Sequence, residues 1–128
     1  MVAIEIPDTV TKIGKHIFDY CSSLSEVKLS EKLQVIPQYA FRACSSLTCI
    51  VIPETIAAIE RSAFEESGLE SIVIPKTVTS IGEYVFKGSA LSSVEFKDSK
   101  VKLSSYTFEN CENLKDVKLG DSITSIWK

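Results

Sequence analysis

Histidine occurs once in this chain, at His16, and no stretch approaches the roughly 18 consecutive apolar residues that a membrane-spanning helix needs. Membrane insertion through a helix is therefore not expected. The 14 Lys and Arg never gather into a basic run, and 17 Asp and Glu leave a net charge of −3. A phosphate-tracking stripe or a polybasic membrane patch needs one sign of charge in one place, so no nucleic acid partner is expected. Asp-rich loops do not recur, which leaves calcium without a ligand set, and no cofactor is expected. With a single histidine and no supporting Ser/His/Asp arrangement, the chain reads as a non-enzyme. Met1 runs directly into the strand-like Val2 to Ile6, with no charged n-region, apolar h-region or cleavage site, so no signal peptide is expected in the chain as it stands.

What is present is a period. Phe18, Phe41, Phe64, Phe86 and Phe108 follow one another at 23, 23, 22 and 22 residues. Each stands twelve residues after an apolar residue: Ile6, Leu29, Ile52, Ile74 or Phe96. Five residues before each Phe comes Ile13, Ile36, Ile59, Ile81 or Leu103. Three earlier comes Val10, Leu33, Ile56 or Val78, the fifth copy carrying Lys100 with Val101 beside it. After each Phe comes Leu24, Leu47, Leu69, Leu91 or Leu114, followed by a short alternating segment such as Val27 and Leu29, or Ile72 and Ile74. Self-similarity at this period signals a solenoid, in which each unit buries its apolar edge against its neighbours. The β-branched alternation reads as one strand per copy, and strands recurring once per turn must lie parallel in one sheet. The rest of each copy covers that sheet: an extended piece at the Ile13 column, then a short helical turn at Ala40-Phe41 or Ala63-Phe64, too short to be stable alone.

The pattern h-x-h-P-x-x-h-x-x-I-G-x-x-A-F-x-x-C-x-x-L, visible from Ile52-Pro53 through Leu69 and again from Ile74-Pro75 through Leu91, resembles the BspA-type leucine-rich repeat over nearly the whole chain. The resemblance implies a right-handed solenoid bent into a horseshoe. The fold class expected is thus α/β, with one short parallel strand per 22–23-residue repeat and short extended or helical turns on the back. Residues 1–128 form a single domain of about five repeats plus partial ends. The resemblance also implies a cell-surface or secreted protein linked to adhesion. Its partner would be a protein, such as a host extracellular-matrix or cell-surface protein, or a glycan. The rival reading is a structural spacer that holds another domain away from the surface and has no ligand of its own.

Ile123 and Ile126 fall in the columns of a sixth copy, and Lys128 stops three residues before its Phe would arrive. The expectation is a piece of a longer array, or bare ends that associate end to end with another chain, because solenoid units rely on neighbours or polar caps.

Cysteine travels with the longer form of the turn after the Phe: Cys21, Cys44 and Cys111, against Ser67-Gly68 and Ser89-Ala90 in the shorter copies. The expected role is packing in an inward corner. A bridge between Cys21 and Cys44 stays open, since neighbouring turns lie about 5 Å apart, although parallel side chains in a ladder hold their Cβ atoms farther apart than a disulfide prefers. Cys49 alternates with inward Ile50 and Ile52, so it should point outward. His16 begins a column continued by Tyr39, Ser62, Tyr84 and Tyr106, read as a half-exposed ladder over the back.

Two outward rows cross the strands. One is Ala3, Glu26, Cys49, Ser71, Ser93 and Asp116; the other is Glu5, Lys28, Val51, Val73, Glu95 and Lys118. In the second row Val51 and Val73 form an apolar centre with charges on either side, Glu5 opposite Lys28 and Glu95 opposite Lys118. The candidate protein-binding face is therefore Glu26, Lys28, Cys49, Val51, Ser71, Val73, Ser93, Glu95, Asp116 and Lys118. The competing explanation is ordinary sheet surface, with valine there for its β propensity.

Overall fold

The computed structural model describes residues 2–97 and 100–119. Ile123 and Ile126 lie outside them. Among the described residues nine short strands follow one another: β1 (Val2–Glu5), β2 (Leu24–Lys28), β3 (Val35–Ile36), β4 (Ala58–Ile59), β5 (Ser71–Ile74), β6 (Ser80–Ile81), β7 (Ser93–Phe96), β8 (Lys102–Leu103) and β9 (Asp116–Lys118). All pairings are parallel. The front holds two sheets, β1-β2 and β5-β7-β9, and the back holds one, β3-β4-β6-β8. The chain is thus a parallel β-solenoid of about five turns, with repeats of about 22 residues.

The columns read from the sequence form the core. Leu33, Ile36, Phe41, Ile56, Ile59, Phe64, Val78, Ile81 and Phe86 are fully buried, and Val101 takes the place that Lys100 vacates in the fifth copy. The Phe rings stack along the axis, with centroids 5.4, 5.3, 5.9 and 5.6 Å apart from Phe18 to Phe108. Phe96 meets Phe108 edge-on at 6.5 Å. Ile4, Val10, Ile13 and Phe18 of the first turn are only partly buried.

No helix occurs among the described residues, which corrects the α part of the expected α/β class and the helical turns placed at Ala40-Phe41 and Ala63-Phe64. The reason lies in the backbone. On this third side each turn carries two residues at left-handed φ, four apart: His16 and Tyr20, Tyr39 and Ala43, Ser62 and Glu66, Tyr84 and Gly88, Tyr106 and Asn110, all between 57° and 66°. Left-handed residues four apart break any helical run. They also aim the N–H groups of the first residue, the Phe and the last residue at the next turn instead of along the chain. Phe18 donates to Ala40 O at 2.9 Å, Phe41 to Ala63 O at 2.8 Å, Phe64 to Val85 O at 2.9 Å and Phe86 to Thr107 O at 2.9 Å. Two overlapping β-turns complete each copy, as in Asp19 N to His16 O and Cys21 N to Phe18 O, both 3.1 Å. Hydrogen bonds that a helix would use locally are spent between turns.

A left-handed conformation costs an L-residue roughly 1–2 kcal/mol, part of which glycine gives back through its looser unfolded state. Gly88 already stands in the last column, while Glu66, exposed at φ 57°, does not enjoy that relief. Glu66→Gly should therefore stabilise the chain by about 0.5–1 kcal/mol. Urea unfolding checks it; an unchanged or lower midpoint would count against the strain argument.

The front corrects a second expectation, that of a strand in every copy. Cys49–Ile52 is not a strand, and among the described residues no backbone hydrogen bond joins it to β2 or β5. Its side chains still alternate, with Ile50 and Ile52 buried and Cys49 and Val51 exposed. The third turn is held from the other two sides: Ala57 N to Gln34 O at 2.7 Å and Glu60 N to Ile36 O at 2.9 Å on the back, and Phe41 N to Ala63 O on the Phe side. With two sides laced and the inward side chains seated, the turn keeps its place without front pairing.

Candidate functional site

Strand alternation sends one set of side chains into the core and leaves the other on an open face. The registers place the outward rows as read: Ala3 beside Glu26, Glu5 beside Lys28, Ser71 beside Ser93 and then Asp116, Val73 beside Glu95 and then Lys118. Glu95 lies 4.0 Å from Lys118 and 3.6 Å from Lys97, which the sequence reading left out. Glu5 and Lys28 are register partners, but no ion pair joins them among the described residues. Surface pairs of this kind are worth little for stability, so they shape the rim of the face more than they hold it.

Val51 is 82% exposed and Val73 46%, far above the inward residues beside them. Around them the face is dented on both sides of Cys49–Ile52. A depression of about 540 Å³ runs along β1, β2 and the third turn, and one of about 320 Å³ lies between the third turn and β5. Cys49, Ile50 and Val51 line both, and the smaller is bounded by Glu54, Pro75 and Lys97. Glu54 and Lys97 could have been suspected only from lying just past the ends of the inward-facing runs.

The Phe side carries a different constellation. His16 stacks on Tyr39 at 4.7 Å and Tyr84 on Tyr106 at 5.5 Å, with buried Ser62 interrupting the ladder. Arg42 lies over the rings of Tyr20 and Tyr39, 4.8 and 4.4 Å from their centroids, and donates two hydrogen bonds to Asp19 at 2.9 and 2.8 Å. Asp19 also meets His16 Nδ1 at 2.7 Å. Burial pushes the Asp19 carboxyl up, but the hydrogen bonds and charges of Arg42 and His16 pull harder and hold it below the ordinary carboxylate value. These groups satisfy one another and fasten the first turn to the second. His16 faces no hydroxyl or thiol nucleophile in its hydrogen-bond contacts, and among the described residues no three metal-ligating side chains converge.

All four cysteines are free, Cys21 and Cys44 included. The corner that Cys21, Cys44 and Cys111 occupy has a use the sequence did not reveal: the Cys44 thiol donates to Phe18 O at 3.1 Å and the Cys111 thiol to Phe86 O at 2.9 Å. Each serves a carbonyl of the preceding turn. In the shorter third copy Ser67 stands there, and its buried hydroxyl has no partner. Burial pushes the Cys44 thiol up to about 12, with Cys21 nearby adding to the rise. Iodoacetamide at pH 8 should therefore modify exposed Cys49 while leaving Cys44 untouched until the chain unfolds, because only thiolate reacts. Peptide mass spectrometry reads the order; early modification of Cys44 would contradict this packing.

Residues 57–128 match a family model described as the BspA type leucine rich repeat region (6 copies). No curated protein matches the chain. Among solved structures, a leucine-rich repeat protein of T. pallidum (TpLRR) is 33% identical with a TM-score of 0.85, over 91% of this chain and 56% of that one. A leucine-rich repeat protein from Bacteroides ovatus is 25% identical, with a TM-score of 0.64 over 98% of this chain and 45% of that one. The pneumococcal vaccine antigen PcpA, 24% identical, shares the fold with a TM-score of 0.81 over 91% of this chain and 30% of that one. The chain thus spans about half of the first two and less than a third of the last. Repeat period, Phe ladder and parallel strands agree with these matches: the chain belongs to the BspA-type leucine-rich repeat family.

Proposed function

We propose that the chain is a non-enzymatic protein-interaction module whose contact surface is the open front face, within a protein displayed at the cell surface or secreted. The observation that carries this is the placement of two exposed valines, Val51 and Val73, at the centre of a regular face whose rim is charged. An apolar centre inside a polar rim is the anatomy of an interface. The horseshoe curvature expected of the family would put this face on the concave side. The partner class is a protein, such as a host extracellular-matrix or cell-surface protein, with a glycan as the other adhesion target. Localisation rests on the family resemblance.

The test is capture from extracellular-matrix and cell-surface preparations by the parent chain beside Val51→Glu/Val73→Glu. Both side chains leave the core untouched, so circular dichroism and melting should match. The expected result is a partner retained by the parent and reduced at least tenfold in the variant. Equal capture by both would remove the open face as the contact surface. Capture by neither would favour the spacer reading.

A further inference from the structure

The outward row that holds the two valines is complementary to its own reverse. Along the solenoid it runs Glu5, Lys28, Val51, Val73, Glu95 and Lys118, with Glu5 beside Lys28, and Val73 beside Glu95 and then Lys118, in register. Taken from the other end, each negative position becomes positive, each positive one negative, and the valines exchange places. An isologous two-fold contact demands this property, because residue i of one copy meets j of the other and j meets i. Consider two such faces opposed, with a two-fold axis between them and parallel to the strands. Rotation about it reverses the order of the turns and keeps each row opposite itself. Glu5 then faces Lys118 of the second copy, Lys28 faces Glu95 and Val51 faces Val73, and each contact is made twice. Had either sign in a pair been the opposite, two like charges would meet instead. The other outward row agrees: Glu26 faces Ser93, Cys49 faces Ser71 and Asp116 faces Ala3, so no two like charges are opposed there. Exposed Glu54, just past the third turn's front segment, faces exposed Lys76.

We propose that the open face pairs with the open face of a second copy of this chain, the two solenoids antiparallel, a reading that rests on the open face being the contact surface. The axis passes between the third and fourth turns, through the 320 Å³ depression lined by Ile50, Val51, Ile52, Ile72 and Val73, and the four valines of the two copies close over it. Facing sheets pack about 10 Å apart, a distance that Lys and Glu side chains span. Glu5 and Lys28 are exposed and make no ion pair within the chain among the described residues, so both are available to the second copy. Six turns at about 4.8 Å, each offering about four residues at roughly 3.3 Å, make a patch of about 29 by 13 Å. That is small beside the roughly 800 Å² a partner of a stable interface. The dimer is accordingly weak and reversible, with a Kd on the order of 100 µM, and it leaves the face accessible to other proteins. A two-fold along the solenoid instead lays one row on the other. It opposes Lys28 to Glu26 and Lys118 to Asp116, but puts Val51 on Cys49 and leaves Glu5 and Glu95 facing Ala3 and Ser93.

The test is sedimentation equilibrium of the whole chain from about 10 µM to about 1 mM at low salt, where screening is weakest. The parent should dimerise. Lys28→Glu, Glu95→Lys and Val51→Glu/Val73→Glu should each raise the Kd at least tenfold, with circular dichroism confirming the fold of every variant. Lys28→Glu/Glu95→Lys in one chain should return the Kd to within about threefold of the parent, because the exchanged charges face each other again across the axis. Loss of local structure in the single variants would not be repaired in that way, and under the two-fold along the solenoid Glu95→Lys does not rescue Lys28→Glu. A parent that stays monomeric at 1 mM, a dimer that survives Val51→Glu/Val73→Glu, or a double variant no better than Lys28→Glu each overturns the proposal. Any of these together with a captured partner lost by Val51→Glu/Val73→Glu would leave the open face as a binding surface and remove only the pairing of two copies. A dimer restored by the double variant, together with equal capture by parent and Val51→Glu/Val73→Glu, would uphold the pairing and remove the face as the contact with other proteins.

Discussion

Replacing Phe64 by alanine should cost about 3–5 kcal/mol, against a total stability of about 5–15 kcal/mol for a domain of this size, and leave the chain close to unfolding. Phe64 is fully buried at the middle of the ring stack, between Phe41 at 5.3 Å and Phe86 at 5.9 Å. Removing the ring opens a cavity that neighbouring turns cannot close, because the backbone bonds at Phe41 and Phe64 fix their spacing. A solenoid is also nearly one-dimensional, so weakening its central interface leaves two halves that are each too short to persist. Phe18→Ala supplies the comparison: that ring is only partly buried and touches a neighbouring ring on one side. Urea unfolding of both variants should show the larger loss at Phe64. Equal or smaller loss there would mean that the stack is not the spine of the fold.

Arg42→Ala should release the first turn at a cost of roughly 2 kcal/mol, the sum expected for a charge-assisted pair and ring contacts after allowing for partial exposure. On the Phe side that turn leans on the clasp, since it is the first of the array and its core residues Ile4, Val10, Ile13 and Phe18 are only partly covered. The loss should be local. The Phe18 and Tyr20 amides, bonded to Ala40 O and Arg42 O, should exchange roughly thirtyfold faster, a factor that corresponds to about 2 kcal/mol, while Phe64 and Phe86 amides stay as they were. Acid should act on the same device. The Asp19 carboxyl lies below its unfolded value, so its contribution is fully present above the ordinary carboxylate pKa and fades as pH falls through that value toward the lower folded one. Asp19→Asn should flatten this part of the profile. A variant that loses stability below pH 4 as steeply as the parent would show that Asp19 does not carry the effect.

The family, the period and the core were legible in the residues themselves. Phe, Ile and Leu columns state which side chains face inward, because a repeat that buries one face must place the same residue type there in every turn. Alternation also set the outward rows: Val51 and Val73 fall on the open face whether or not their backbones pair. Other features left no comparable trace. Tyr39 and Ala43 adopt left-handed φ, although neither residue type signals it, so Ala40-Phe41 read as a helical turn. The carbonyl that Cys44 serves lies 26 residues away, and the carboxylate that Arg42 holds lies 23 away. Neither distance belongs to any local pattern.

Sequence by itself determined that this chain stacks parallel turns around a Phe spine, because burial repeats with the period and can be read one residue at a time. Tertiary structure alone decided how the turns are laced and where they are not: rungs in place of helices on the Phe side, the Asp19–Arg42 clasp, and the unpaired front of the third turn. Each of these depends on whether a hydrogen-bonding group meets a partner in the next turn, and that is settled by the spacing between turns, which no single copy of the repeat encodes.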